Sequence, residues 1–207
     1  MSNKLLTVIM LIITLFACGC GNMSHSQKQT LPPAATPVES AKPVSAEVYN
    51  NLTFIEMFDE SSGWAVSPAA VIHCEKGNWA DVSPKEETGA SFNKAAFVDA
   101  NTGGLSMSKS GAANFTILRT MDGGKTWLAT DIASSEPGTV PTVKTINFVD
   151  NTHGWLAVSY GAGAGSELVE VHQTTNGGET WAMIASPRLK IANAIPGGGI
   201  KTGLSFI

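Results

Sequence analysis

Basic residues are scarce in this sequence. Its 207 residues carry 13 Lys and Arg against 17 Asp and Glu, a formal net charge of −4, and the only arginines are Arg119 and Arg188. Lysines and arginines do not cluster anywhere, so no nucleic-acid partner is expected, because gripping nucleic acid means neutralising a row of phosphates. Cysteine is nearly absent too. Of Cys18, Cys20 and Cys74, two sit together near the N-terminus, which is no disulfide framework. Tyr49 and Tyr160 are the only tyrosines. The longest apolar run is short of the ~20 residues that cross a hydrocarbon core of about 30 Å. What is plentiful is glycine, 21 residues, in a chain only 14% charged, which indicates a globular, turn-rich protein.

The N-terminus reads as an export signal over residues 1–20. Lys4 precedes an apolar run of thirteen residues, Leu5 to Ala17, the size of a signal-peptide core. It ends in Leu15-Phe16-Ala17-Cys18-Gly19-Cys20, which resembles a lipoprotein processing motif. That motif implies lipidation at Cys18, with Cys20 as the alternative, and a palmitate-type anchor on the extracytoplasmic face of the cell membrane. Two or more acyl chains anchor a protein stably where one does not. Residues 21–47 contain Pro32, Pro33, Pro37 and Pro43 among small polar residues. They are expected to form an extended tether, with the folded domain spanning 48–207.

That domain repeats itself. Phe97-Val98-Asp99-Ala100-Asn101-Thr102-Gly103-Gly104-Leu105 aligns with Phe148-Val149-Asp150-Asn151-Thr152-His153-Gly154-Trp155-Leu156, and Met57 to Ala65 is an earlier copy. Each copy reads as strand, tight turn, strand, with the glycine expected to take a backbone angle that other residues resist. A second motif follows. Thr120-Met121-Asp122-Gly123-Gly124-Lys125-Thr126-Trp127 matches Thr174-Thr175-Asn176-Gly177-Gly178-Glu179-Thr180-Trp181, and His73 to Trp79 is a worn, shorter copy. Strand formers flank these turns. All five tryptophans of the chain fall in the two motifs. The repeat is therefore four short strands over 40 to 51 residues, as the spacings Asp59–Asp99 and Asp99–Asp150 give. Propeller blades have that size and strand count.

The second motif resembles the Asp-box, or bacterial neuraminidase repeat. Joined to the preceding Phe-x-Asp-x-x-x-Gly-Trp, it is similar to the propeller family of the photosystem II stability/assembly factor, over about residues 52–207. The resemblance implies an all-β fold of β-propeller blades, here about three blades of four antiparallel strands and the start of a fourth near Phe206. Such an incomplete ring would leave open faces and edges through which copies could self-associate. Asp122 and Asn176 would hydrogen-bond backbone N–H groups and fix the turn. Gly123, Gly124, Gly177 and Gly178 would take left-handed angles, and Trp127 and Trp181 would be buried within their blades. The family implies a module that binds or assembles a membrane complex, with an unknown envelope or membrane protein as partner. The alternatives are a glycan-binding or glycan-active propeller, with cell-wall glycan as ligand, and a truncated fragment without function.

No catalytic residue, cofactor or metal is expected. A sialidase clamps its substrate carboxylate with three arginines, and this chain has two. Neither tyrosine has an acid at a suggestive spacing. In His73-Cys74-Glu75, strand alternation turns Cys74 away from its neighbours, and nothing of metal-ligand spacing supports it. Gly161-Ala162-Gly163-Ala164-Gly165 precedes a strand pattern rather than the helix a phosphate loop requires, and reads as a flexible hairpin loop.

Overall fold

The structure, a computed structural model, describes residues 36–37, 42–85, 89–136, 138–188, 195 and 199–201. Cys18, Cys20 and Phe206 lie outside the described residues. The chain contributes β1 (Thr36–Pro37), β2 (Lys42–Pro43) and the short helix α1 (Ala46–Asn50) before the repeats begin. Each repeat then forms one four-stranded antiparallel sheet. Sheet 1 is β3 (Phe54–Met57), β4 (Gly63–Ser67), β5 (Ala70–Glu75) and β6 (Asn78–Asp81). Sheet 2 is β7 (Ala90–Phe97), β8 (Gly103–Lys109), β9 (Asn114–Thr120) and β10 (Thr126–Ala133). Sheet 3 is β11 (Thr142–Phe148), β12 (Gly154–Gly163), β13 (Ser166–Thr174) and β14 (Ala182–Ala185). In every sheet the strands pair in chain order. The protein is thus all-β, in three four-stranded sheets.

The sequence repeat is also a hydrogen-bond repeat. Asp59 Oδ1 accepts the Ser61 N–H at 2.6 Å, Asp99 Oδ1 that of Asn101 at 2.7 Å, and Asp150 Oδ1 that of Thr152 at 2.7 Å. Hydrogen bonds led by that from the Ser62 hydroxyl hold Asp59 down to about 2, and those led by the Thr152 hydroxyl hold Asp150 well below the usual carboxylate range. The carbonyls of Ser61, Asn101 and Thr152 then accept the N–H groups of Gly77, Gly123 and Gly177 at 2.9, 3.0 and 2.7 Å. Each repeat's first turn is so tied to its second, even in sheet 1, where the second motif is worn.

The glycine that closes the first turn serves a different purpose from the one expected. Gly63, Gly103 and Gly154 lie outside the left-handed region. They are needed because the strand end lies against them. A Cβ would fall 2.5 Å from Glu56 O at Gly63, 2.7 Å from Phe97 Cα at Gly103 and 2.6 Å from Phe148 Cδ1 at Gly154.

Adjacent sheets meet through their faces, because alternation gives each strand two buried sides. Trp64, Val66 and Val71 of sheet 1 pack with Phe97, Leu105, Met107 and Trp127 of sheet 2. The other side of sheet 2, with Phe115 and Ile117, packs with Val143, Ile146, Leu156 and Val158 of sheet 3. The remaining face of sheet 1, expected to be open, is not bare. Val44, Val48 and Leu52, on and around α1, pack on Ala65, Ala70 and Ile72. Within the stretch read as tether, β1 pairs with β10 and β2 with β6, which covers the outer edges of sheets 2 and 1. Among the described residues no strand pairs with the outer edge of β14.

Candidate functional site

The second-motif turns come first, because they carry the most distinctive residues. Thr120 Oγ1 accepts the Gly124 N–H at 2.9 Å, and Asp122 Oδ1 accepts the Thr126 N–H at 2.9 Å. In sheet 3, Thr174 Oγ1 accepts from Gly178 at 2.8 Å and Asn176 Oδ1 from Thr180 at 3.0 Å. Burial raises the Asp122 carboxyl, but its bonds from Thr126 and Thr120 outweigh that and leave it below its usual range. Gly123, Gly124, Gly177 and Gly178 have φ of 72°, 81°, 67° and 98°, the left-handed region, as expected. These side chains spend their hydrogen bonds on their own turn.

The side chains of Trp127 and Trp181 pack in the joints between sheets. Trp127 reaches across the joint, where its indole N–H donates to the Val82 carbonyl at 2.7 Å and its ring meets Trp64 edge-on. Trp181 packs into the joint of sheets 2 and 3 and leaves its buried Nε1 without an acceptor. Cys74 is buried, and its thiol faces the Ser61 carbonyl at 3.3 Å, away from His73. The glycine-rich segment is largely strand. β12 runs on to Gly163, with a register shift after Ser159, and turns at once into β13.

Tyr160 does have an acid partner, which spacing along the chain hid. Its hydroxyl donates to Glu170 Oε2 at 3.0 Å across the β12–β13 hairpin, and Ser135 Oγ donates to Glu170 Oε1 at 2.7 Å. His172 Nε2 stands 3.5 Å from Glu170 Oε2 without a properly angled hydrogen bond. The order of contacts is Ser–Glu–His, with no Ser–His pair, so the serine has no base to activate it. Burial pushes the Tyr160 hydroxyl up, the wrong direction for a nucleophile. The arginines sit apart on different partners, Arg119 with Glu179 at 3.2 Å and Arg188 with Glu136.

A concavity lies at the opposite end of the sheets from the second-motif turns. A cleft of about 520 Å³ is lined by the starts of β3, β9 and β11, the middle of β7 and the end of β8, so all three sheets contribute. Such volumes suit small ligands or short segments. Phe92, Met107, Phe115 and Val143 lie buried beneath the cleft, and the half-buried Phe54 and the exposed Val140 give it an apolar surface. At the rim β7 shifts register between Phe92 and Ala95, and the bulge carries Asn93 and Lys94. Ser106 braces it, with the Lys94 N–H donating to Ser106 Oγ at 3.0 Å. Asn93 Nδ2 donates to the Ser91 carbonyl and to Ser108 Oγ at 3.2 and 3.0 Å. Lys94 is the one charged residue of the lining, and it is exposed. No sequence signal marked this bulge. The chain matches no protein-family model, no curated protein and no solved structure.

Proposed function

We propose that this chain is an exported, lipid-anchored binding module built of β-propeller blades, a protein-docking or assembly factor rather than a catalyst. The observation that carries the reading is the division of labour between the two ends of the sheets. Motif residues at one end are consumed by internal hydrogen bonds. At the other end three sheets converge on a cleft with an apolar floor and an exposed cation. The Asp-box resemblance and the sheet-on-sheet packing support blades, and the sequence motif at Cys18 supports the anchor.

Two experiments test it. A photo-crosslinking residue at Asn93, in the full anchored protein in its own membranes, should yield a discrete adduct, and the same residue at Lys125 should yield none. No adduct at Asn93 would remove the binding-module reading. Fatty-acid labelling should mark the mature protein, and Cys18→Ala should abolish the mark. Loss only with Cys20→Ala moves the anchor to that residue, and labelling unaffected by either change removes the anchor.

A further inference from the structure

The first strands of sheets 2 and 3, β7 and β11, both bulge, and both place a lysine in the bulge. In sheet 3 the bulge at Lys144, between Val143 and Thr145, is answered from within the molecule. The Lys144 ammonium donates to both oxygens of Glu167 at 2.7 and 3.0 Å. Glu167 also accepts from Ser159 Oγ and from the Lys201 N–H, each at 2.8 Å. Those donors, Lys144 first, hold the Glu167 carboxyl down to about 2. The lysine of that bulge is thus paired with a carboxylate of its own sheet.

The sheet 2 bulge is built alike and left unanswered. No carboxylate lines the cleft beside Lys94, and among the described residues nothing pairs with its ammonium. Its neighbours are instead apolar rings and the hydroxyls of Ser106 and Ser108. The rest of the protein is net acidic. A cation without a counter-ion above an apolar floor is complementary to a carboxylate carried next to an apolar group. A second concavity, beside α1, has Glu47 as its charge and would repel such a ligand.

We infer that the cleft binds an acidic–aromatic peptide segment of a partner protein, with its carboxylate on Lys94 in the place that Glu167 fills for Lys144. The segment's apolar side chain lies over Phe54 and Val140, apolar residues of the lining that keep exposed surface. This deepens the binding-module reading and rests on it. A floor of that kind supplies affinity through apolar burial, while the lysine supplies orientation and salt sensitivity.

The test uses a short fluorescein-labelled peptide of alternating glutamate and phenylalanine, titrated by polarisation onto the full chain. A matched peptide carries glutamine in place of glutamate. The acidic peptide should bind, more weakly at high salt. Lys94→Glu should weaken it by about tenfold or more with the unfolding midpoint unchanged. Lys125→Glu, at the far end of sheet 2, should leave it unchanged. Equal binding of the two peptides, full binding by Lys94→Glu, loss with Lys125→Glu, or no binding at all would overturn the inference. So would a uronic-acid oligosaccharide that binds where the peptide does not. If Asn93 still cross-links a partner after such a result, the module reading survives and the ligand class is wrong.

Discussion

The joint between sheets 1 and 2 and the joint between sheets 2 and 3 are built on the same backbone plan with different chemistry. In the first, Trp64 is fully buried, stacks flat on Phe97 at 4.3 Å and donates its indole N–H to the Asp99 carbonyl at 3.2 Å. His73 lies under the same indole at 4.3 Å. In the second, the position of Trp64 is taken by Gly104, where a Cβ would come within 3.0 Å of Phe148. Phe148 occupies the space, and the Glu170 network adds buried polar groups that the first joint lacks. Arg119 sits under Gly177 as His73 sits under Gly123. The turns are therefore what the repeat conserves in space. The joint filling is aromatic in one case and partly polar in the other.

The comparison breaks first at the tryptophans. Trp127→Ala should cost about 3–5 kcal/mol in denaturant unfolding, since it empties a packed joint and strips the Val82 carbonyl of its donor. Trp181→Ala should cost about half as much, because that ring is half-buried and its N–H has no partner to lose. Equal costs would show that the two joints are energetically alike. Glu170→Ala should come next, about 2–3 kcal/mol, through the stranded Tyr160 and Ser135 hydroxyls, with hydrogen exchange accelerated in sheet 3 more than in sheet 1.

Acid should reach both joints through their histidines. Burial holds His73 and His172 below the usual imidazole range, with Glu75 and Ala100 opposing and Lys125 assisting at His73, and Glu170 opposing at His172. A base depressed in the folded state is protonated first in the unfolded chain. Stability is therefore complete above about pH 6.5 and falls below it, by up to ~1.4 kcal/mol per pH unit for each histidine. His73→Gln removes one share of that slope, and the structure already places Gln173 at the matching position of sheet 3. The depressed carboxylates Asp59, Asp122, Asp150 and Glu167 act in a second window. Their contribution is present above about pH 4 and is lost as pH falls further. A slope between pH 7 and 5 that survives His73→Gln together with His172→Leu would locate the acid sensitivity elsewhere. The smallest effects belong to the turns. Asp122→Ala should cost about 1–2 kcal/mol and Asn176→Ala about 1, since the amide makes the weaker bonds.

Repeat number, strand count and both motif turns were legible in the sequence because each rests on contacts within a few residues. Asp122 to Thr126 is such a contact. What was hidden depends on pairing at a distance. The Tyr160–Glu170 bond follows from hairpin register, and the Trp127–Val82 bond crosses between sheets. The helix α1 is short, and β1 and β2 have two residues each, too few for any periodicity to show. The bulge at Lys94 adds one residue to an ordinary strand pattern, and composition does not mark it. The candidate site was missed for that reason, whereas the structural turns were found.

The central claim is that the two ends of the sheets do different work, stability at the second-motif turns and binding at the cleft that carries Lys94. Cross-linking from Asn93 in native membranes, scored per folded molecule in Asp122→Ala and Lys94→Glu backgrounds beside the unfolding free energy of each, tests it most directly. The account predicts that Asp122→Ala loses stability and keeps its adduct, and that Lys94→Glu keeps stability and loses its adduct. Loss of the adduct in a fully stable Asp122→Ala protein, or its retention in Lys94→Glu, would contradict the account.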